Sequence, residues 1–277
     1  LATQKNHTRD GKLVFVSSDL KRIKNVGSDI PTMQYALDHW EDLHVELKGR
    51  YHLFNSRNSE EFEKYKGAQM AAPLPRAYQW LDGSAYVHHV ELARKSRGAV
   101  MPESFWVEPL MYQGASDTFL GAEDNFELLN EKFGLDLEAE IGVIVDDVPM
   151  GVSEQEAMQH ICLLVLINDW SYRELIPHEL QKGFGFVNSK PSTGFAPIAI
   201  TPDSLGDLWN NGKLNLAVEC KLNGIKIGSP IASEDMVFNF GQLISHAAKT
   251  RDLSAGTIIG SGTVSNRDVT RGSSCLL

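Results

Sequence analysis

Cysteine is scarce in this chain of 277 residues, and the three present, Cys162, Cys220 and Cys275, stand far apart. That spacing excludes a disulfide framework and a zinc-type cluster, and the expected setting is a reducing, cytoplasmic one. Long apolar runs are missing too. The longest, ICLLVLI at 161–167, falls well short of the roughly 20 residues needed to cross a bilayer, so no membrane association is expected. No signal-peptide pattern is recognisable, and the chain opens on Leu1 rather than Met, so Leu1 is not taken as the native start. Positive charge is in deficit, with 26 Lys and Arg against 36 Asp and Glu and a formal charge of −10, which argues against a nucleic-acid binder. It leaves room for an anionic small substrate, because a small basic pocket can sit in an acidic protein. Internal repeats and low-complexity segments are absent.

What is present is an ordinary globular composition in a chain long enough for one large domain, or one with a small companion. LATQK, a turn through Arg9-Asp10-Gly11 and LVFVS predict an N-terminal hairpin. Met33, Leu37, Trp40, Leu43 and Leu47 recur at helical spacing. The polar stretch 55–70 and the prolines of AAPLPR place a boundary between a small N-terminal α/β domain, 1–70, and a larger one, 71–277. Beyond it, VIVDDVPMG predicts a hairpin turn at Asp146-Asp147. Ser153 with Glu156 forms a capping box opening a helix on which Ala157, Ile161, Leu164 and Val165 are apolar. LNLAVECKLNGIKI predicts a hairpin around Asn223-Gly224, the region from Met236 a second helix, and GTIIGSGTVSN a strand and Gly-rich turn. Many strands and few helices indicate an α+β, β-rich fold.

The segment LDLEAEIGVIV (135–145) poses the chemical question. In a strand, Asp136, Glu138 and Glu140 share one face. Neighbouring carboxylates about 5 Å apart repel by roughly 3 kcal/mol at an effective dielectric near 20. Either the acidic face is solvated, or a divalent cation sits in it; oxygen-only ligands suit Mg²⁺, Mn²⁺ or Ca²⁺ rather than zinc. INDWSYRE adds Asp169, placed after the apolar helix expected from Ser153. Arg173 is a candidate partner for Asp169, and equally a candidate fork for a substrate carboxylate.

LDLEAEIGVIV, INDWSYRE and KGFGFVNSKPSTGFAPIAI, in this order and spacing, resemble the fumarylacetoacetate hydrolase family from about Trp80 to Gly272. The resemblance implies a mixed β-roll, with final strands and a further carboxylate expected after Leu277. It implies a cation held by Glu138, Glu140 and Asp169, with Asp82 as an additional ligand and Asp136 left to solvent; Mg²⁺ is the first choice, Ca²⁺ or Mn²⁺ the alternatives. The catalytic base falls on His88 or His89, which would point to opposite sides of a strand. A His-x-x-Glu dyad would select His88 with Glu91, whereas the spacing from Asp82 selects His89; His89 is preferred, with Glu91 as partner. Lys190 matches the family lysine that contacts substrate or an oxyanion, Tyr112 and Arg173 are implied substrate contacts, and Gly260-Ser261-Gly262-Thr263 resembles a late turn lining the pocket. Gln113 and Gly114 follow Tyr112 where the family has His and Gly, and the family's arginine there is missing.

The function so implied is metal-dependent hydrolysis of a carbon–carbon bond in a 1,3-diketo acid such as fumarylacetoacetate or an acylpyruvate, in tyrosine or other aromatic catabolism, by a homodimer. The alternatives are decarboxylation or tautomerisation of a small keto acid on the same fold, and a non-catalytic oligomeric binding protein.

Overall fold

A computed structural model describes residues 1–57, 62–95 and 98–277; residues 58–61, within the polar stretch read as a boundary, lie outside the described residues. The chain begins with β1 (Ala2–Gln4) and β2 (Lys12–Val16), antiparallel with Ala2 opposite Val14, as the hairpin pattern predicts. β3 (Arg22–Asn25) and β4 (Glu63–Lys64) complete a four-stranded sheet. The helical spacing becomes two helices, α1 (Met33–Asp38), capped by the Thr32 hydroxyl, and α2 (Trp40–Ser56). Their apolar residues join Leu13 and Phe15 in a core that continues into the larger part of the chain through Trp80, Ile144, Val165 and Phe195.

The larger part is built on β5 (Trp80–Gly83), α3 (Val87–Lys95), β6 (Met111–Gly114), β7 (Leu120–Gly121), β8 (Leu135–Asp136), β9 (Ala139–Val145), α4 (Glu154–Ala157), β10 (Ile161–Asn168), β11 (Ser171–Tyr172), α5 (Ile176–Lys182) and β12 (Gly194–Phe195). Two small hairpins follow, β13 (Trp209–Asn210) with β14 (Lys213–Leu214), and β15 (Cys220–Leu222) with β16 (Ile225–Gly228). The second turns at Asn223 and Gly224, both at positive φ (51° and 79°), as an Asn-Gly turn requires. α6 (Phe240–Ala247) starts from an Asn239 capping box, and β17 (Ile258–Gly260) ends the series. Seven strands form one mixed sheet in the order β6-β5-β17-β9-β10-β12-β7, the curled sheet of an α+β fold with a small N-terminal segment.

Three local expectations are corrected. ICLLVLI is not the continuation of a helix: the Ser153–Glu156 capping box is formed, but α4 is one turn long and Ile161–Asn168 is the strand β10. A continuous apolar run fits a strand buried on both faces as well as a helix, and β10 is flanked by β9 and β12. VIVDDVPMG is not a tight hairpin; β9 pairs with β10 and β17, and Val148 bridges to Leu253 instead. His88 and His89 lie on the helix α3, not on a strand.

Candidate functional site

Register brings the acidic residues together. Asp82 on β5 stands beside Gly260 of β17, which stands opposite Gly142 of β9, while Tyr112 of β6 faces Asp82 from the other side. Glu140 is two residues before Gly142 and therefore shares that face. The glycine at 260 is required, because a Cβ there would collide with the Asp82 carboxylate and the Trp80 ring. On β10, Ile167 pairs with Glu140, and the chain then leaves the strand so that the Asp169 amide donates to the Glu138 carbonyl at 2.9 Å. Asp82, Glu140 and Asp169 thus converge, one oxygen from each lying within 4.8 Å of the others, all three buried.

These carboxyls are poorly compensated by the protein. Both oxygens of Glu140 are buried without a hydrogen-bond donor, so that only a proton shared with Asp82 would relieve them while the structure holds the two side by side. Burial and the neighbouring carboxylates push Glu140 well above the ordinary range, and burial with Asp169 nearby pushes Asp82 up to about 8. Asp169 is better served: Oδ2 accepts from Tyr112 Oη at 2.6 Å and pairs with Lys190 Nζ at 2.5 Å, and Oδ1 accepts from Thr193 Oγ1 at 3.1 Å. Asp82 Oδ1 accepts from the Gly262 amide at 3.1 Å, which places the late Gly-rich turn at the cluster. An all-oxygen, buried donor set of this kind, with Glu140 left unpartnered, fits a hard divalent cation.

Glu138 stands apart from this triad, although the sequence pattern treats it as Glu140's equivalent. Its oxygens pair with Lys190 at 2.6 Å, Arg173 at 2.8 Å and His89 Nε2 at 3.5 Å. Against the upward push of burial, Lys190, His89 and Arg173 hold its carboxyl well below the usual range. His89 is correspondingly raised to about 9: burial lowers it, but hydrogen bonds to Cys275 and Glu138 more than offset that. Lys190 is itself buried and, despite the opposing effect of burial, is held protonated by Asp169 and Glu138.

The remaining expected residues sort as follows. Tyr112 reaches the site, with Phe186 packed edge-on against its ring at 5.2 Å. Arg173 pairs with Asp136 and Glu138 rather than with Asp169, and its guanidinium is therefore engaged rather than an open fork. Asp136 is not solvated. It is 3% exposed, its Oδ2 lies 2.6 Å from Arg173 and its Oδ1 accepts from the Leu276 amide at 2.8 Å. The stripe's first carboxylate is buried because a cation and an amide, both distant in sequence, come to it. Glu91 is not brought to His89; its half-exposed carboxylate lies 3.6 Å from Arg267, while His88 bonds Ser265 at 3.0 Å. On a helix, positions 89 and 91 point about 200° apart, which separates them.

Sequence reasoning assigned nothing to Ser171, Thr193 or Cys275. Ser171 Oγ accepts from Lys190 at 2.8 Å and donates to the Asp169 carbonyl at 3.0 Å. Its signal was the serine of INDWS; Thr193 and Cys275 carried none, since each is placed by tertiary contact.

The model for "Fumarylacetoacetate (FAA) hydrolase C-terminal" matches residues 79–277, and that for "Fumarylacetoacetase N-terminal domain 2" matches residues 1–76. A 2,4-didehydro-3-deoxy-L-rhamnonate hydrolase of a Sphingomonas species is 30% identical over 159 residues, 56% of this chain and 53% of that protein. Oxaloacetate tautomerase YisK of Bacillus subtilis is 27% identical over 201 residues, 71% of this chain and 62% of that protein. The chain thus spans little more than half the length of these relatives. Among solved structures, maleylpyruvate hydrolase from Sphingobium, in complex with manganese(II) and pyruvate, superposes with a TM-score of 0.66 at 15% identity, covering 95% of this chain and 88% of that one. Fumarylacetoacetate hydrolase from Exiguobacterium antarcticum gives 0.68 at 16% identity, covering 95% and 85%. At these identities the structures establish the shared fold.

Proposed function

The chain belongs to the fumarylacetoacetate hydrolase family, and from that premise we propose that it is a divalent-metal-dependent hydrolase cleaving a carbon–carbon bond in a 1,3-diketo acid of the acylpyruvate type. One observation carries the reading: three buried carboxyls, Asp82, Glu140 and Asp169, converge with only Asp169 in a direct ion pair, next to a Glu138 that holds a histidine and a lysine. Glu138 completes the ligand set or anchors Lys190, Arg173 and His89 beside it. Mg²⁺ is the first choice of ion, with Mn²⁺ and Ca²⁺ as alternatives, in a homodimer whose catalytic part is 71–277 and whose small N-terminal domain is 1–70.

The chemistry supplied at these carboxyls by a bound divalent cation is Lewis-acid polarisation of the diketo oxygens, with like-charge repulsion that favours neutral His89. His89 Nε2 takes a proton from a water molecule, whose oxygen attacks the acyl carbonyl carbon. The bond from that carbon to the methylene carbon breaks, its electron pair leaves as an enolate, and the proton held on His89 passes to the former methylene carbon. Lys190, fixed and protonated, steadies the growing negative charge. Tyr112, with its hydroxyl on Asp169, bounds the substrate's side of the cluster.

The test is to incubate the protein with Mn²⁺ and acetylpyruvate, fumarylacetoacetate or oxaloacetate, and to identify the products. Acid pairs from either diketo acid support the reading. Tautomerisation of oxaloacetate without bond cleavage would replace it with the second reading, which the likeness to the B. subtilis oxaloacetate tautomerase favours. His89→Ala should retain melting-point stabilisation by Mn²⁺ and lose about 100-fold or more in turnover. Unchanged turnover would remove His89 from the role of base.

A further inference from the structure

We infer that Glu179 is a positioning residue, whose carboxylate clasps the loop 187–189 and so sets where Lys190 enters the site. The inference rests on the reading of Lys190 given above. Between Arg173 and Lys190 the chain makes one excursion that leaves the acidic cluster and comes back to it. It departs through Ser171 and Arg173, forms α5, turns at Gly183 in a left-handed conformation (φ 75°), and returns with Lys190 Nζ between Glu138, Asp169 and Ser171.

The outer part of that excursion has little packing of its own, since Phe184 is 98% and Val187 78% exposed. Glu179 is the contrast. Its neighbours on α5, His178 and Leu180, face solvent, yet Glu179 is buried. Oε1 accepts from the Val187 amide at 3.1 Å and the Asn188 amide at 2.8 Å, and Oε2 accepts from the Ser189 amide at 3.1 Å and the Ser189 hydroxyl at 2.5 Å. Three successive amides converging on one carboxylate form an anion nest filled from within the chain. Ser189 is held from its other side as well, its carbonyl accepting from the Tyr172 amide at 2.8 Å. The residue immediately before Lys190 is thus fixed at both N–H and C=O. Burial pushes the Glu179 carboxyl up, but the Ser189 hydroxyl and the three amides hold it at about 2, so the clasp is charged throughout the working pH range.

A positioned ammonium loses its effect on a reacting centre when displaced by an ångström or so. The test uses the full chain with Glu179→Gln, and Ser189→Ala as a milder variant should the first fail to fold. Lysine acetylation by acetic anhydride, read by mass spectrometry, reports Lys190 directly, because in the wild type its side chain is buried. The expected result is a rise of about tenfold in Lys190 acetylation, from loss of the charge-assisted hydrogen bonds, with the other lysines unchanged. Stabilisation by Mn²⁺ should persist, and kcat on acetylpyruvate should fall about tenfold or more while KM moves less. Unchanged Lys190 protection would overturn the inference. So would a rise spread evenly over Lys213 and the other lysines, which would make Glu179 a residue of general stability, or an unchanged kcat despite an accessible Lys190. Should the wild type turn over no keto acid, the proposed hydrolase reading fails, and the acetylation pattern still decides the role of Glu179.

Discussion

Two residues apart, Glu138 in the link just before β9 and Glu140 within it, these glutamates have opposite electrostatic surroundings. Around Glu138, and Asp136 before it, the protein supplies its own cations: Arg173 to both, Lys190 and His89 to Glu138. Around Glu140, among the described residues, no cation comes into direct contact, Lys190 acting on it only from its place on Glu138 and Asp169, and Asp82 and Asp169 are added instead. Burial is equal in the two regions, so burial alone cannot explain why Glu138 is pulled well below the usual carboxyl range and Glu140 pushed well above it. The difference lies in who provides the positive charge. A buried carboxylate without a partner is costly enough that the fold would not keep it for stability. Its persistence beside fully paired neighbours marks a place for a ligand from outside.

That contrast predicts opposite responses to the same chemical change. Glu140→Gln should lower turnover with Mn²⁺ by on the order of a thousandfold, because Lewis-acid stabilisation of several kcal/mol depends on the triad. The melting temperature of the metal-free protein should hold or rise, since a like charge has been removed. Glu138→Gln should do the reverse to the fold, leaving Lys190, Arg173 and His89 with less than their share of negative charge. Removing one member of a buried pair typically costs about 3–5 kcal/mol, read by urea unfolding of the metal-free protein. Equal destabilisation by the two substitutions would erase the distinction between the regions.

Asp136→Asn probes the outer edge of the paired region. Arg173 would keep Glu138, and an Asn can still accept from the Leu276 amide, so a loss of about 1–2 kcal/mol in the same unfolding experiment is expected. A loss near zero would return Asp136 to the solvated role that the sequence suggested.

What the sequence reveals and what it hides follow from the range of the interactions. The hairpin at Arg9-Asp10-Gly11, the Asn223-Gly224 turn and the Ser153–Glu156 capping box are legible because their chemistry is complete within a few residues. The alternation at Asp136, Glu138 and Glu140 is legible as an acidic pattern but does not reveal the break in the expected strand, in which Asp136 ends β8, Glu138 lies in the link and only Glu140 is in β9. It cannot rank the three, because the ranking is made by Arg173, Lys190 and the Leu276 amide, each distant along the chain. Residues 161–168 hide their conformation for a related reason: an unbroken apolar run has no period, and only the neighbouring strands make it a strand. His89 is preferred through the family resemblance and its separation from Asp82, but its setting on α3 is not legible, since a histidine pair between apolar residues fits either conformation.

The finest difference between the two regions is a proton. With its folded-state pKa raised to about 8, Asp82 carries a proton at neutral pH in the metal-free protein, and on the proposed reading it would lose that proton to a bound cation. The sign follows from linkage: a carboxyl whose folded pKa lies above its unfolded value of about 4 binds its proton more tightly when folded. The metal-free fold therefore loses stability as pH rises from about 4 towards 8. Cation binding runs the other way, since deprotonation prepares the site. Apparent affinity for Mn²⁺, measured by calorimetry, should tighten by up to about tenfold per pH unit between pH 6 and 8 and then level off. In buffers of differing ionisation enthalpy, the same titrations should show at least one proton released per ion at pH 7. Glu140→Gln, which removes a carboxylate neighbour of Asp82, should shift the levelling-off to lower pH. An affinity flat across pH 6–8 with no proton released would mean that the triad is already ionised, and that Lys190 on Asp169 compensates all three carboxylates.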